Sequence, residues 1–523
     1  MTSESMKRSD SGTAGVPGTE PLKREPLKRL AVAVTIGAFA VGAFFRFFRL
    51  DWQSLWVDEI HTLGPSLHAV SLGDAFWNYI NLAPTPPLYY LFMMFWTEIS
   101  NFSELLVRLP SAVFGLATIV VFWIGVRKVF GPWIAASAAI LMALSWPGVF
   151  YSQEARGYSA VLFCVTWAAV LWMKVLHDFD ASSRNDWLIL LSASILSAAI
   201  HPFGFIITAF MFGYLFVVAL ARGRFVVRAL VAGSVLVACY LVWMAVNLLG
   251  IQWVLGEGTI YIRPGLWFFV HIGAFLFHHP MVAVLTCGVP LAIGAVGYFK
   301  RLKSATLDRA WHDPAIYLPY ILLVPFAFVF AVAQVQPFLY SRYLIVFLPF
   351  IYMLYAFVLA QRVWHRPALQ VVIMAAVAIP ASYWIFRDYY EVDKPQTREL
   401  ARYVISNSDN STAIITGCNP NPPFECALGE GRRTDADWSK YLYYLNYNDL
   451  PNLPIVPDVF EDLEGLDRLV DEYRANGKRR LILMGSRTGV GYVNKAVPHL
   501  ERLGFVCSRT QFHLAEAAEC SLG

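Results

Sequence analysis

Charged residues are scarce in this sequence. Only 15% of its 523 residues are Asp, Glu, Lys or Arg, whereas 57% are hydrophobic. A soluble domain carries roughly 25% charged residues, so the composition excludes an ordinary soluble protein and predicts an integral membrane protein. The net charge of +4 is small and dispersed, which argues against a nucleic-acid partner. The sequence also lacks a Walker loop and a dinucleotide fingerprint, so nothing in it indicates a nucleotide site.

Cysteine is rare as well, and the seven cysteines show no CxxC spacing of the kind found in zinc sites. Three of them lie in apolar segments, where a thiol behaves as a small apolar group: Cys164, Cys239 and Cys287. The other four lie near the C-terminus: Cys418, Cys426, Cys507 and Cys520. In an oxidising compartment these four suggest two disulfides. Of the three possible connectivities we prefer local pairing, Cys418 with Cys426 and Cys507 with Cys520, and a structural zinc site is the alternative.

Long apolar runs alternate with clusters of Lys and Arg through residues 30–387. A membrane-spanning helix needs about 20 apolar residues, and basic clusters favour the cytoplasmic side. Residues 1–29 are polar and basic, without a cleavage-site pattern, and predict a disordered cytosolic tail leading into an uncleaved first span. The two rules together predict about eleven spans, the first running outward: 30–48, 109–126, 132–150, 159–175, 187–200, 204–221, 226–248, 281–299, 315–333, 343–361 and 368–386.

Two shorter apolar segments, 86–99 and 265–278, are predicted to be interfacial or re-entrant helices. A full span over 86–99 is the alternative. It would place Arg127 and Lys128 outside and invert every later loop, so the basic clusters favour the interfacial interpretation.

After residue 387 the composition changes, and residues 388–523 contain no apolar run long enough to span. The pattern predicts helices over 397–407, 463–477 and about 491–502, strands over 413–416 and 480–485, and two short strands near 504–515. The sequence therefore predicts an α-helical polytopic protein of the cell membrane with a C-terminal α/β domain. By the parity of the spans, this domain lies outside the cytoplasm.

Two adjacent carboxylates, Asp58 and Glu59, with His61 close behind, follow the first predicted span directly. Because that span runs outward, all three are predicted to lie outside. Other polar residues are predicted on the same side: His68, Glu154, Arg156, His201, Glu257, Arg263, His271, His278, His279, Gln334, Gln336, Tyr340, Ser341, Arg342 and Tyr343. Ionisable groups at a membrane boundary are costly to desolvate, which makes a functional site the default hypothesis.

Simpler roles are open for single members of this set. The acidic pair is equally consistent with a solvated turn. His201 fits an interfacial hydrogen-bonding residue, and Arg342 fits a side chain that extends towards lipid headgroups. Together, however, the set combines a carboxylate that can act as a base with cations that can hold a phosphate. A lipid-phosphate donor needs both, and also an apolar groove for its tail.

An ordered series of motifs runs through residues 30–360: SLWVDEIHT, TPPLYYLFMMF, LLVRLPSAVFGLATIVVFWIGVRKVFG, YSQEARGYSAVLF, HPFGF and FLYSRYLIVFLPF. The series resembles the GT-C class of glycosyltransferases. It is most similar to the broad bacterial group related to protein O-mannosyltransferases and lipid A aminoarabinose transferases. The resemblance implies an inverting transfer of a sugar from a polyprenyl-phosphate carrier to an acceptor hydroxyl on the outer face of the membrane.

The resemblance also implies roles for individual residues. Asp58 matches the first-loop acid and is assigned as base, with Glu59 and His61 in support. Glu154 corresponds to the second acid, which shapes the site, orients the acceptor or helps to hold a metal. The donor phosphate is assigned to four residues: Arg342, Arg156, His201 and Tyr343.

A divalent cation is implied only for some members of the group, and Glu154, His201 and His278 are the candidate ligands here. One departure concerns the donor. Aminoarabinose transferases carry Lys-Pro where this chain has Thr85 and Pro86, so the donor sugar is left open. The acceptor, a glycolipid, a polysaccharide or a protein, is open too.

Three other functions compete with this prediction. A transporter or flippase of lipid-linked sugars would use the same polar residues as a path, but such proteins tend to show internal repeats and charges at mid-depth, and neither is evident. A sensor or assembly protein would act through its C-terminal domain. An oligosaccharyl- or polymerase-type transferase is the alternative among enzymes.

Overall fold

A computed structural model describes residues 25–67, 71–82, 86–100, 103–250, 263–278, 311–363, 367–389, 391–392, 394–409, 411–417, 458–460, 463–486 and 488–522. Up to residue 389 these are almost entirely helical. The helices are α1 Glu25–Phe47, α2 Val57–Leu67, α3 Leu72–Leu82, α4 Leu88–Ser100, α5 Glu104–Phe130, α6 Pro132–Ala143, α7 Trp146–Phe150, α8 Tyr158–His177, α9 Arg184–Ile200, α10 Pro202–Arg222, α11 Val226–Gly250, α12 Leu266–Phe277, α13 Pro314–Val335, α14 Leu348–Val363 and α15 Pro367–Asp388. Short 3-10 segments lie at Tyr151–Gln153, Phe179–Ala181 and Ser341–Phe347.

Within the described residues, seven helical segments are long and apolar enough to cross a membrane, and a bent pair makes an eighth candidate. All eight fall on predicted spans. Two further predicted spans, 187–200 and 368–386, are the helices α9 and α15, of 17 and 22 residues. The predicted span 281–299 lies outside the described residues. The polytopic helical fold predicted from the apolar runs is therefore confirmed.

The segments predicted as interfacial are short helices. Helix α4 has 13 residues and α12 has 12, fewer than the ~20 needed to span. Helices α2 and α3, in the first loop, were not predicted, because Pro65 interrupts the pattern of α2 and both helices have only 11 residues. Asp58 and Glu59 occupy the first turn of α2, where the positive end of the helix dipole favours acidic side chains.

The bent pair consists of α6 and the segment 146–153, which meet at 63°. Arg46, a buried side chain of α1, stabilises the break: its guanidinium donates to the carbonyls of Met142 and Ala143, at 3.1 and 3.0 Å. These carbonyls end α6 and have no partner within that helix. On the other side of the break, the hydroxyl of Ser145 accepts from the Gly148 N–H. The bend directs the chain into the turn that carries Glu154.

Gly115 allows α5 to approach this turn closely. A Cβ at position 115 would lie 2.0 Å from the Ser152 hydroxyl oxygen and 2.9 Å from its Cβ, so Ser152 would have to move. We expect Gly115→Ala to lower the free energy of unfolding by about 1–3 kcal/mol, the usual cost of overpacking, and to reduce activity by displacing Glu154. Thermal unfolding in detergent measures this. In the control variant, Gly37→Ala, the added methyl meets nothing within 4 Å, and equal losses in both variants would contradict the explanation.

The predicted C-terminal α/β fold is also present. Its helices are α16 Thr397–Asn407, α17 Leu463–Ala475 and α18 Thr488–Arg502, and its strands are β1 Thr412–Gly417, β2 Asp458–Phe460, β3 Arg480–Ser486, β4 Phe505–Phe512 and β5 Ala515–Leu522. The strand order is β2-β1-β3-β5-β4, parallel for β1 with β2 and β3, and antiparallel for β5 with β3 and β4. The two strands predicted near 504–515 are thus longer, and they run on to residue 522.

Alternate side chains of the central strands face opposite sides of this sheet. Ile415 and Leu483 share a core with α17 and α18, whereas Ile414 and Ile482 belong to the core that contains α16. The predicted disulfide between Cys507 and Cys520 is present and joins β4 to β5. Cys418 and Cys426 lie outside the described residues.

Candidate active site

Asp58 and Arg342 form an ion pair although 284 residues separate them in sequence. Arg342 Nη1 donates to Asp58 Oδ2 at 2.7 Å, and the two side chains remain 27% and 20% exposed. The pair joins the first turn of α2 to the 3-10 segment Ser341–Phe347. The rings of Tyr340 and Tyr343 lie 4.7 and 5.8 Å from the Arg342 guanidinium. Among the described residues, Arg342 Nε is buried without a hydrogen-bond partner.

This contact joins two residues to which the resemblance gives different roles. The assigned base, Asp58, and the cation assigned to the donor phosphate, Arg342, touch each other. An anion bound by Arg342 would therefore lie beside the carboxylate of Asp58 and compete with it for the guanidinium.

Glu59 differs sharply from its neighbour Asp58, because its carboxylate is completely buried and fully bonded. Arg108 Nε and Nη2 donate to its two oxygens at 2.7 and 2.8 Å, and Lys394 Nζ donates at 2.9 Å. The Ala155 N–H adds a bond of 3.0 Å. Burial alone would raise the pKa of Glu59, but the charges and hydrogen bonds of Arg108 and Lys394 outweigh it and lower the pKa to about 2. Glu59 is therefore a permanent anion that orders the site.

Arg108 and Lys394 were not among the sequence-predicted site residues. Arg108 also donates to the carbonyls of Leu50, Gln53 and Ser54, so it fixes the whole entry into α2. A signal for it was available, since an arginine within the apolar run LLVRLPSAV is costly unless it is paired. Lys394 lies beyond the last predicted span, in a segment assigned to the C-terminal domain, and no motif marked it.

Glu154 is the second buried carboxylate of the site and is only 1% exposed. Neither of its oxygens has a hydrogen-bond partner among the described residues, and Lys394 Nζ lies 3.5 Å from Oε1. Burial raises the pKa of Glu154 to about 7. The Lys394 charge opposes this, and the carboxylates of Glu59 and Asp58 add to it. Glu154 can therefore exchange a proton near neutral pH, in contrast to Glu59.

Arg156 supports helix α2. Its Nη1 donates to the backbone carbonyl of Asp58 at 3.0 Å and to the hydroxyls of Thr62 and Tyr90 at 3.1 Å each. These bonds hold the first turn of α2, and hence Asp58, against the turn that follows α7. A direct contact to the donor phosphate, as assigned from the sequence, would have to be made in addition to these bonds.

His201 and Tyr343 lie beside this cluster. His201 caps α10, its Nδ1 accepting from the Phe203 N–H at 3.2 Å, and its ring lies 5.1 Å from that of Tyr343. Burial, together with the charges of Arg156 and Arg342, lowers the pKa of His201 to about 3. The imidazole is therefore neutral at pH 7, with its proton on Nε2 because Nδ1 is an acceptor. His201 can donate one hydrogen bond to a phosphate but brings no charge.

The proposed metal ligands do not converge. His278 Nε2 pairs with Asp388 at 3.0 Å and its ring stacks on Trp146 at 4.8 Å, so it binds Asp388 instead of joining Glu154. Among the described residues, no group of three or more His, Cys, Asp and Glu side chains is arranged to hold a metal ion. These residues therefore do not fit a resident cation. The His61 side chain, His68, Thr85, Glu257 and His279 lie outside the described part of the chain.

Glu154 and Lys394 line an open pocket, together with Trp52, Gln153, Asp388 and Tyr389, and its empty space, including the part open to solvent, is about 620 Å³. Trp146 and Ile385 line this pocket and also a second, largely apolar one of about 440 Å³ by the same measure. Because charged side chains line part of the first pocket and the second is largely apolar, the two together can hold an amphipathic molecule, with its polar group near Glu154 and its apolar part between the helices.

Comparisons with known proteins show what the sequence and the fold of this chain are similar to. Residues 84–250 match the family model described as dolichyl-phosphate-mannose-protein mannosyltransferase. The fold is similar to that of ArnT from Cupriavidus metallidurans. The TM-score is 0.56 for its structure bound to undecaprenyl phosphate and 0.57 for its apo structure, with 13% identity over 94% of this chain and 98% of that chain in both. An oligosaccharyltransferase from Archaeoglobus fulgidus, tethered to an acceptor peptide, matches with a TM-score of 0.47 at 13% identity over 88% of this chain and 69% of that one. None of the curated protein sequences matches significantly.

The fold of this chain is that of a GT-C membrane protein. Together with the family match over residues 84–250, it agrees with the resemblance to GT-C glycosyltransferases found in the motifs. The resemblance found in the motifs is confirmed at this level.

Proposed function

We propose that the chain transfers a monosaccharide from a polyprenyl-phosphate donor to an acceptor hydroxyl, with inversion at the anomeric carbon and with Asp58 as general base. The observation that carries this proposal is the partly exposed ion pair of Asp58 and Arg342, which lies beside the buried carboxylates of Glu59 and Glu154. It offers a base and a phosphate-binding cation side by side. The similarity in fold to an ArnT bound to undecaprenyl phosphate supports a lipid-phosphate donor of this kind.

Donor binding frees the base in this scheme. The donor phosphate competes for Arg342, whose Nε is buried without a hydrogen-bond partner among the residues that the structure describes and whose Nη1 binds Asp58. Phosphate and guanidinium match in a bidentate geometry, so the anion can displace the single bond to Asp58. Neutral His201 supplies a further donor. The carboxylate of Asp58 is then free to accept a proton.

The chemical step is a direct displacement. The acceptor oxygen attacks the anomeric carbon while its proton passes to Asp58. The bond between that carbon and the phosphate oxygen breaks, and its electron pair leaves with the polyprenyl phosphate. Negative charge grows on the phosphate as the sugar phosphodiester of the donor becomes the phosphate monoester of the polyprenyl carrier. Arg342 stabilises this charge where it develops. Glu154, whose oxygens accept no hydrogen bond among the described residues, orients the acceptor hydroxyl in the pocket that it lines.

The position of the site supports an extracytoplasmic reaction. Arg108 lies near the N-terminal end of α5, and Tyr158 begins α8 with its ring 6.5 Å from that of Tyr343, so these two helix ends lie on the site's side of the bundle. The basic residues Arg127, Lys128 and Lys174 lie in the last turns of the same helices, at the opposite face. Since basic clusters favour the cytoplasm, this arrangement supports a site that faces away from it. No nucleotide-activated donor is expected there, which again favours a lipid carrier.

Purified protein incubated with labelled polyprenyl-phosphate pentoses and hexoses tests the proposal. We expect release of polyprenyl phosphate that depends on an added acceptor fraction: glycolipid, polysaccharide or protein. Movement of the intact donor across a liposome bilayer, without its cleavage, would instead indicate a flippase. The panel of sugars also identifies the donor.

A further inference from the structure

Lys394 places a positive charge between two buried carboxylates. Its Nζ lies 2.9 Å from Glu59 Oε2 and 3.5 Å from Glu154 Oε1, and its side chain is only 11% exposed. The residue lies between α15 and α16. The ammonium therefore reaches the site from the segment that leads into the C-terminal domain.

This segment is docked on the first loop by several bonds. The Lys394 N–H donates to Gln53 Oε1 at 2.9 Å, and Ser54 donates to Glu399 at 3.0 Å. Arg398 donates to the carbonyls of Asp51 and Trp52 at 2.9 Å each, and pairs with Glu104. The position of the Lys394 ammonium is therefore fixed by the contact between the C-terminal domain and the first loop.

We propose that Lys394 is a positioning residue that keeps Glu154 ionised and oriented towards the acceptor, so that activity depends on the docked C-terminal segment. The inference rests on the proposed transferase function and deepens it. Glu59 is held by Arg108 without Lys394, whereas Glu154 has no hydrogen bond among the described residues. Lys394 therefore supplies a positive charge 3.5 Å from the Glu154 carboxylate, which also experiences the negative charges of Glu59 and Asp58.

The groups around Glu154 determine how the loss of Lys394 changes its pKa. Burial raises the pKa of Glu154, Lys394 lowers it, Glu59 and Asp58 raise it, and Arg156 lowers it. The resulting pKa is about 7. The ionised form, present above that pH, is the one that accepts a hydrogen bond from the acceptor hydroxyl. Removing the Lys394 charge raises the pKa further, typically by about 1–3 units for a close opposite charge.

The test compares Lys394→Met, Lys394→Arg and Lys174→Met. Methionine keeps much of the length without the charge, and arginine restores the charge. Lys174 pairs with Asp186 at an exposed position near the far end of α8, so its loss is the matched control. For Lys394→Met we expect kcat at pH 7 to fall about 10- to 100-fold, because the loss of activity on the acid side of the pH profile moves to higher pH, and we expect activity to recover at still higher pH. Lys394→Arg and Lys174→Met are expected to lose activity at the same acidic pH as the wild type.

A purely structural role for Lys394 would lower activity equally at all pH values, or lower the unfolding temperature without moving the limb, and either result overturns the proposal. So does an unchanged Lys394→Met enzyme. If Lys394→Met fails to fold, the Glu154→Gln variant provides the test. A pH profile of this variant that loses activity at the same acidic pH as the wild type would also overturn the proposal. Infrared spectroscopy can follow the protonation of the Glu154 carboxyl with pH, as the difference between the spectra of the wild type and of Glu154→Gln, and it needs no turnover. If this carboxyl is protonated at the same pH in Lys394→Met as in the wild type, Lys394 does not control the ionisation of Glu154, whether or not the donor has been identified.

Discussion

Replacing Asp58 with Asn is expected to lower kcat by about 10²- to 10⁴-fold, the usual contribution of a general base. The amide cannot take the acceptor proton, but its oxygen can still accept the bond from Arg342, so the fold and the position of α2 should be retained. Steady-state turnover of the labelled donor measures the loss, and the unfolding temperature in detergent checks the fold.

Asp51→Asn provides the matched control, because Asp51 is an exposed carboxylate in the same loop. It is expected to keep wild-type turnover. A folded Asp58→Asn protein with full activity would remove Asp58 as the base. Glu154, whose carboxylate oxygens accept no hydrogen bond among the described residues, would then be the group to examine.

Replacing Arg108 with Met is expected to destabilise the protein by about 3–5 kcal/mol, the usual cost of removing one partner of a buried ion pair. The Glu59 carboxylate would lose its two shortest bonds in a fully buried position, and three backbone carbonyls would lose a donor. Denaturant or thermal unfolding in detergent, followed by tryptophan fluorescence, measures the change.

The exposed pair of Arg224 and Asp180, with side chains 55% and 53% exposed, is the comparison. Arg224→Met should cost no more than about 1 kcal/mol. The double variant Glu59→Leu, Arg108→Met should be less destabilised than Arg108→Met alone, because it removes both members of the buried pair while Lys394 keeps Glu154 as a partner. Equal losses for Arg108→Met and Arg224→Met would show that the buried pair does not organise the site.

The spans and the C-terminal strands could be predicted because each depends on a local pattern: an apolar run of sufficient length, or a short buried strand next to a turn. The difference between Asp58 and Glu59 could not. Both lie in one helical turn, and only the rotation of α2, set by Arg108 and Arg156, decides which carboxylate is buried. The contact between Asp58 and Arg342 depends equally on the packing of distant segments.

The role of Lys394 could not be predicted either. The change of composition after residue 387 marks the end of the membrane domain, so the sequence assigns Lys394 to the C-terminal domain and away from the site. In the structure, residues 394–399 dock on the first loop and bring Lys394 to the site. Helix α6 likewise follows from its apolar run, whereas its bend depends on Arg46, a residue 96 positions away from the carbonyl of Met142 that it binds.

The configuration of the new glycosidic bond tests the central claim most directly. It can be read by nuclear magnetic resonance on the product formed from a donor of known anomeric configuration. Direct displacement with Asp58 as base predicts a product of inverted configuration, formed by the wild type and nearly absent with Asp58→Asn. A product of retained configuration would contradict the account, since it requires a covalent intermediate or a front-side reaction instead.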